Sequence, residues 1–184
     1  HIPPGRAFMT KVEMARQQFV RAVGQGLPFA TVGFDSLYGR DVAFRRLAVG
    51  HGKHYMACVP SDSQLWLEDP AQNPGAQRAL ARELMPRLAF ETIETRHGER
   101  RAQRHQHEIL HVWKQQKLQN SAEAPLGYVF HRETLVVRKE HDGKTSFALS
   151  DYLPEQKPLL AQARAERYFV ERTIQDCKSE LGLD

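Results

Sequence analysis

Apolar residues recur along the first sixty positions at two different spacings, and the alternation between them predicts the fold class. In TKVEMARQQFVRAVGQG, Val12, Ala15, Phe19, Ala22 and Val23 fall on one face of a 3.6-residue repeat. Thr10 stands three residues before Glu13, the reciprocal capping arrangement in which each side chain satisfies a backbone N–H of the first turn. The pattern predicts a helix stopped by Gly24 and Gly26. FATVGFD is a short apolar run, predicted as a buried strand that ends at Asp35 and gives way to a turn at 36–39. DVAFRRLAVG predicts a short helix closed by Gly50, and HYMACVP a second buried strand closed by Pro60. Helix, strand, helix, strand is an α/β layer pattern.

Beyond Pro60 the patterning changes. Prolines, runs of Arg and His and short β-like pieces occupy residues 61–151, which read as a β-rich insertion. Its clearest part is TLVVRKEHDGKTSFALS, two strand-like runs around Asp142-Gly143, a hairpin turn signal. RHGERRAQRHQHEILHVWKQQKLQN is compatible with helix or strand. A final helix is predicted from about Pro158 to Leu181, with Gly182 as its stop. Ala163, Val170, Ile174, Cys177 and Leu181 form its buried stripe. Arg164, Arg167, Glu171 and Lys178 fall within about 60° of one another on the same helix, so one acid stands among three bases beside that stripe. The chain thus divides into a first core part at 1–60, the insertion at 61–151 and a second core part at 152–184.

Composition narrows the class. Apolar residues are 41% and charged residues 26% of the 184, which excludes a disordered or fibrous chain. No apolar run reaches the length of a membrane span and no signal pattern opens the chain, so a cytoplasmic protein with no membrane partner is expected. Two cysteines, Cys58 and Cys177, lie in apolar settings and read as buried thiols rather than a disulfide framework. The net charge of +4 allows a polyanionic partner without requiring one.

Chemistry enters with two carboxylates. Asp35 at a strand end and Glu171 on a helix bordering the core could converge on Mg²⁺, and a two-ion site of that kind performs phosphoryl transfer. The plainer alternative is a turn-capping aspartate and a glutamate in ordinary i,i+4 pairs. Three stretches add specificity: TKVEMARQQFVRAVGQGLPFATVGFDSLYG, HYMACVPSDSQLW and ARAERYFVERTIQDCKSELGLD. Together they resemble the Asp-Asp-Glu (DDE) transposases of bacterial insertion sequences, which have an RNase H-like catalytic core. The first resembles the family's helix and the strand ending in Asp-Ser-x-Tyr-Gly, with Asp35 at the second catalytic aspartate. The second is similar to the next core strand and the entry to the insertion. The third resembles the YREK signature, with Arg167 four before Glu171 and Lys178 seven after it. Arg164 stands where that signature has tyrosine, and Tyr168 does not occupy the position.

The resemblance implies an RNase H-like mixed sheet with helices, interrupted by the β-rich insertion and without its opening strands. It implies a Mg²⁺-dependent endonuclease that cleaves DNA at transposon ends and transfers strands to target DNA, acting as a homodimer in a synaptic complex at the bacterial nucleoid. Asp35 and Glu171 are the expected catalytic metal ligands of a two-Mg²⁺ site, and Lys178, Arg167, Arg164 and Arg172 the expected DNA contacts. The family's first aspartate precedes the first helix. HIPPGRAFM contains no acid and the first methionine is Met9, so an internal fragment, inactive alone, is expected. The alternative is a transposase remnant that binds DNA without cutting it.

Two other signals compete. His107-Glu108-Ile109-Leu110-His111 matches HExxH, the helical zinc-peptidase motif, but the extended form is absent, and its setting predicts a strand. Arg96, Arg100, Arg101 and Arg104, with His97, His105 and His107, form a basic run that is either a DNA-phosphate contact or a solvated loop. Trp66 and Trp113 read as core anchors of the insertion rather than base-stacking platforms.

Overall fold

The computed structural model describes residues 8–97, 102–118, 127–140 and 142–166, with the side chains of 96, 97, 102 and 103 outside that description. The first helix, α1, spans Lys11–Gly24, and its start is built as the sequence predicts. Glu13 N donates to Thr10 Oγ1 at 3.2 Å, while Thr10 N donates to Glu13 Oε2 at 2.7 Å. The chain leaves the helix at Gly26, whose φ of +71° is the left-handed conformation that glycine adopts without cost. Strand β1 (Thr31–Phe34) follows, then the expected turn, which is a single helical one, α2 (Ser36–Gly39), then α3 (Val42–Gly50) and β2 (His54–Val59). Asp35 caps α2 and Asp41 caps α3.

The remainder is dominated by strands. These are β3 (Gln64–Trp66), β4 (Arg78–Leu80), β5 (Glu91–His97), β6 (Ala102–Lys117), β7 (Tyr128–Lys139) and β8 (Thr145–Ser150), with a 3-10 segment at Ala81–Arg87 between β4 and β5. Residues 102–117 of the segment compatible with helix or strand form a long strand, β6, paired with β7 from Gln106 opposite Lys139 to Lys117 opposite Tyr128. Alternation along β6 supplies the reason. Leu110 and Val112 pack into one apolar layer and Ile109 into another, so only an extended chain serves both layers. The predicted hairpin joins β7 to β8, with Gly143 at φ +79° in its turn.

All eight strands form one mixed sheet in the order β1-β2-β8-β7-β6-β3-β4, with β5 also paired to β6. Among the described residues only β1 and β2 run parallel, joined across α2 and α3; every other pairing there is antiparallel. One sheet face carries α1 and α3 over a core of Phe19, Phe34, Phe44, Ala57, Val112, Leu135 and Leu149. The other carries a helix, α4, described over residues 157–166, whose Leu160 packs with Met56, Ile109, Val136, Ala148 and Tyr152. Helices on both faces of a mixed sheet are the α/β layering that the opening pattern predicts. Trp66 and Trp113 depart from expectation. Each is half-buried and neither belongs to a core cluster.

Candidate active site

Asp35 follows the last residue of β1, and its position is set by three local features. Its Oδ1 accepts from Leu37 N at 2.8 Å and Tyr38 N at 3.1 Å, which fixes the carboxylate at the head of α2. The turn closes with Gly39 N donating to the Asp35 carbonyl at 2.6 Å. Gly39 then lies directly on β2, where a Cβ would collide with the Cys58 carbonyl oxygen. Only glycine permits that approach, so the spacing from Asp35 to Gly39 is a packing requirement. Asp35 is exposed, and its Oδ2 has no hydrogen bond or ion pair among the described residues. A hard, uncommitted carboxylate oxygen at the open end of a strand suits Mg²⁺.

Beneath this turn lies a buried polar cluster that the sequence reading missed. The Arg45 guanidinium on α3 donates to both carboxylate oxygens of Glu133 on β7, Nε to Oε2 at 2.9 Å and Nη2 to Oε1 at 2.8 Å. Arg45 is 0% and Glu133 3% exposed. Tyr55 Oη donates to Glu133 Oε2 at 2.8 Å, and Arg45 Nη1 donates to the carbonyl of Gly39, the residue that ends the Asp35 turn. Burial pulls the Arg45 pKa down, but the Glu133 carboxylate outweighs it and the net shift is upward. Burial, reinforced by Glu133, pushes the Tyr55 hydroxyl well above its usual range. Arg45 therefore stays charged, and Tyr55 stays a donor. The sequence signal was Glu133 itself, an acid between β-forming residues on a strand whose neighbours 134–137 are buried. Nearby Lys114 donates Nζ to the Gln64 carbonyl at 2.6 Å, and burial, helped by Arg45, lowers its pKa to about 8.

On the opposite face, α4 is described as far as residue 166. Glu171, Arg167, Arg172 and Lys178 lie outside the described residues, as does Cys177. Arg164 is described and is 8% exposed, turned toward the sheet rather than outward. Burial chiefly lowers the His107 pKa, and for Glu140 bonding to Arg138 and Ser146 outweighs burial; the Arg164 charge adds a small lowering to each. The basic run divides similarly. Arg104 is exposed and pairs with Glu94 at 3.2 Å, whereas His107 is fully buried; Arg100 and Arg101 lie outside the described residues, as do the side chains of Arg96 and His97.

HEILH lies in β6. Four residues of strand separate His107 from His111 by roughly 13 Å, too far for both to reach one tetrahedral zinc through bonds of about 2 Å. His107 Nδ1 meets the His105 carbonyl at 3.2 Å, and burial lowers its pKa to about 4.

A sheet whose parallel pair ends in an exposed aspartate, with helices on both faces, defines a mixed α/β protein of the RNase H-like type. Residues 1–120 match the family model of the DDE superfamily endonucleases, and the chain belongs to that family. No curated protein matches it. The family match ends before the YREK-like stretch, which rests on its own spacing.

Proposed function

We propose that this chain forms part of a transposase active site that cleaves DNA and transfers strands with Mg²⁺, in which Asp35 and Glu171 bind metal and are catalytic. Lys178 and Arg167 contact DNA phosphates, with Arg172 as a weaker contact; Arg164, the fourth candidate, is buried. The observation that carries the reading is the exposed, uncommitted Asp35 oxygen at the end of β1 in a chain of the DDE endonuclease family. Bound Mg²⁺ would supply nucleophile activation and charge stabilisation on a phosphodiester. The protein's share is to hold Asp35 fixed, through Gly39 against β2 and through Arg45 at the Gly39 carbonyl. Transposon ends, target DNA and a second copy of the chain are the partners in this reading.

Mn²⁺ titration followed by electron paramagnetic resonance tests it. Asp35→Asn preserves the cap, because Asn caps as well as Asp, and removes the charge. Asp35→Asn and Glu171→Gln are each expected to weaken Mn²⁺ binding about tenfold or more, while Asp62→Asn leaves it unchanged. Unchanged Mn²⁺ affinity in both folded variants would overturn the assignment.

A further inference from the structure

The register of β4, β3, β6 and β7 aligns four side chains in one row across the sheet. Arg78 stands opposite Trp66, Trp66 opposite Trp113, and Trp113 opposite Arg132. Residues directly opposite each other in antiparallel strands share a face, so the row reads Arg-Trp-Trp-Arg on a single side. Phe130 and Tyr128 extend it along β7: the Trp66 and Phe130 rings meet edge-on at 5.0 Å, and Phe130 and Tyr128 at 5.6 Å. The Arg132 guanidinium lies 5.8 Å from the Trp113 ring centroid. Trp66, Trp113 and Phe130 are half-buried, while Arg78, Arg132 and Tyr128 are exposed. Lys117, opposite Tyr128, adds another exposed cation to this face. The acid neighbouring the row in sequence, Glu133, points to the other face, where Arg45 holds it.

Aromatic faces bounded by cations match one ligand chemistry, an anionic backbone carrying flat unpaired bases. A purely apolar partner would leave the arginines and Lys117 without counterions, and a DNA duplex would keep its base faces stacked away from the tryptophans. Four strands span roughly 14 Å, and sheets of that width stack two or three bases.

We propose that this row is a binding platform for single-stranded DNA, separate from the Asp35 carboxylate. The proposal rests on the reading of DNA as partner but not on the metal site, and its test runs without metal. Trp66 and Trp113 are the only tryptophans in the chain, so intrinsic fluorescence reports on the platform alone. The 184-residue chain is titrated in EDTA with fluorescein-labelled oligo(dT), an abasic strand of equal length, and a duplex, with binding followed by label anisotropy. Fluorescence quenching is measured in parallel with unlabelled strands.

Oligo(dT) is expected to quench the tryptophans and to bind roughly tenfold more tightly than the abasic strand. Trp113→Ala should abolish that preference. Trp113→Phe, which keeps a ring and guards against a folding defect, should retain most of it. Arg132→Gln should lower the slope of log K against log salt by about 0.7. An anisotropy rise without quenching, or equal affinity for oligo(dT) and abasic strands, would overturn the platform while leaving DNA as partner. No anisotropy change with any DNA would overturn both.

Discussion

The two faces of the sheet handle charge in opposite ways. Under α3, Arg45, Glu133 and Tyr55 are fully buried and mutually hydrogen-bonded, with the remaining arm of the guanidinium on the Gly39 carbonyl. Under α4, charge is partnered nearer the rim: Arg138 bonds Glu140 at 2.6 and 2.9 Å, and Ser146 Oγ donates to the same carboxylate at 2.7 Å. His107, fully buried there, is held neutral. Farther along that face the aromatic row is half-buried, with exposed arginines at its ends. One face is therefore built to fix a backbone turn, and the other to carry a helix and leave a surface available. The contrast teaches where a buried ion pair belongs in this fold. It sits where the geometry of a catalytic candidate depends on the backbone, because a bidentate pair constrains position and angle together.

Breaking that pair should give the largest effect. Glu133→Ala leaves the Arg45 charge buried without its partner and is expected to cost about 3–5 kcal/mol, read from the urea midpoint. Replacing both partners, Arg45→Met with Glu133→Leu, should cost much less stability. If the cluster acts through the Gly39 carbonyl, that apolar pair should still weaken Mn²⁺ binding. A double variant with wild-type Mn²⁺ affinity would show that the cluster does not position Asp35.

Gly39→Ala comes next. Its Cβ would meet the Cys58 carbonyl, a backbone atom that can retreat only if β2 moves, so a loss of about 3 kcal/mol is expected. The turn that carries Asp35 would shift with it. Mn²⁺ affinity should fall in the protein that remains folded, whereas Gly24→Ala, where an added Cβ meets nothing within 4 Å, should change neither quantity.

Much of this architecture is legible in the sequence because it is local. The Thr10–Glu13 box, the strand ending at Asp35 and the Asp142-Gly143 turn each involve residues within a few positions, and each forms as expected. The Arg45–Glu133 pair is 88 residues apart in sequence, and no spacing rule joins α3 to β7 before the sheet order is known. The same holds for the tryptophans. Trp66 and Trp113 are large apolar residues, and only the register of β3 on β6 reveals that they share a half-buried row rather than a core. The basic face of the final helix is visible as periodicity, but Arg164 illustrates the limit of a helical wheel. Its burial follows from the sheet beneath it, which the wheel does not contain.

The α4 face should betray its buried histidine through pH. His107 has an ordinary pKa of 6.5 when unfolded and about 4 when folded, so the unfolded chain binds more protons between those values. Stability is therefore complete above about pH 6.5 and falls as pH drops toward 4, by about 2–3 kcal/mol from this residue. Burial lowers His131 and His111 as well, and both add to the decline in the same direction. His107→Leu should flatten the profile between pH 6.5 and 4, measured as the urea midpoint at each pH. A slope identical to wild type would remove His107 as its source.

The smallest effect should come from the same chemistry as the largest. Lys157 Nζ on α4 meets Glu91 Oε1 on β5 at 2.5 Å, bridging helix to sheet much as Arg45 bridges helix to sheet on the other face. Its partners are 46% and 45% exposed, so water screens the pair and competes for both ends. Hydrogen bonding to Glu91 raises the Lys157 pKa, which records proximity rather than stabilisation. Lys157→Ala should leave the urea midpoint within error, and adding salt should not separate it from wild type. A resolvable loss would mean that α4 is anchored at its start by charge; its absence leaves Leu160 and the apolar layer beneath it as the anchor, so that burial, not pairing, distinguishes the two bridges.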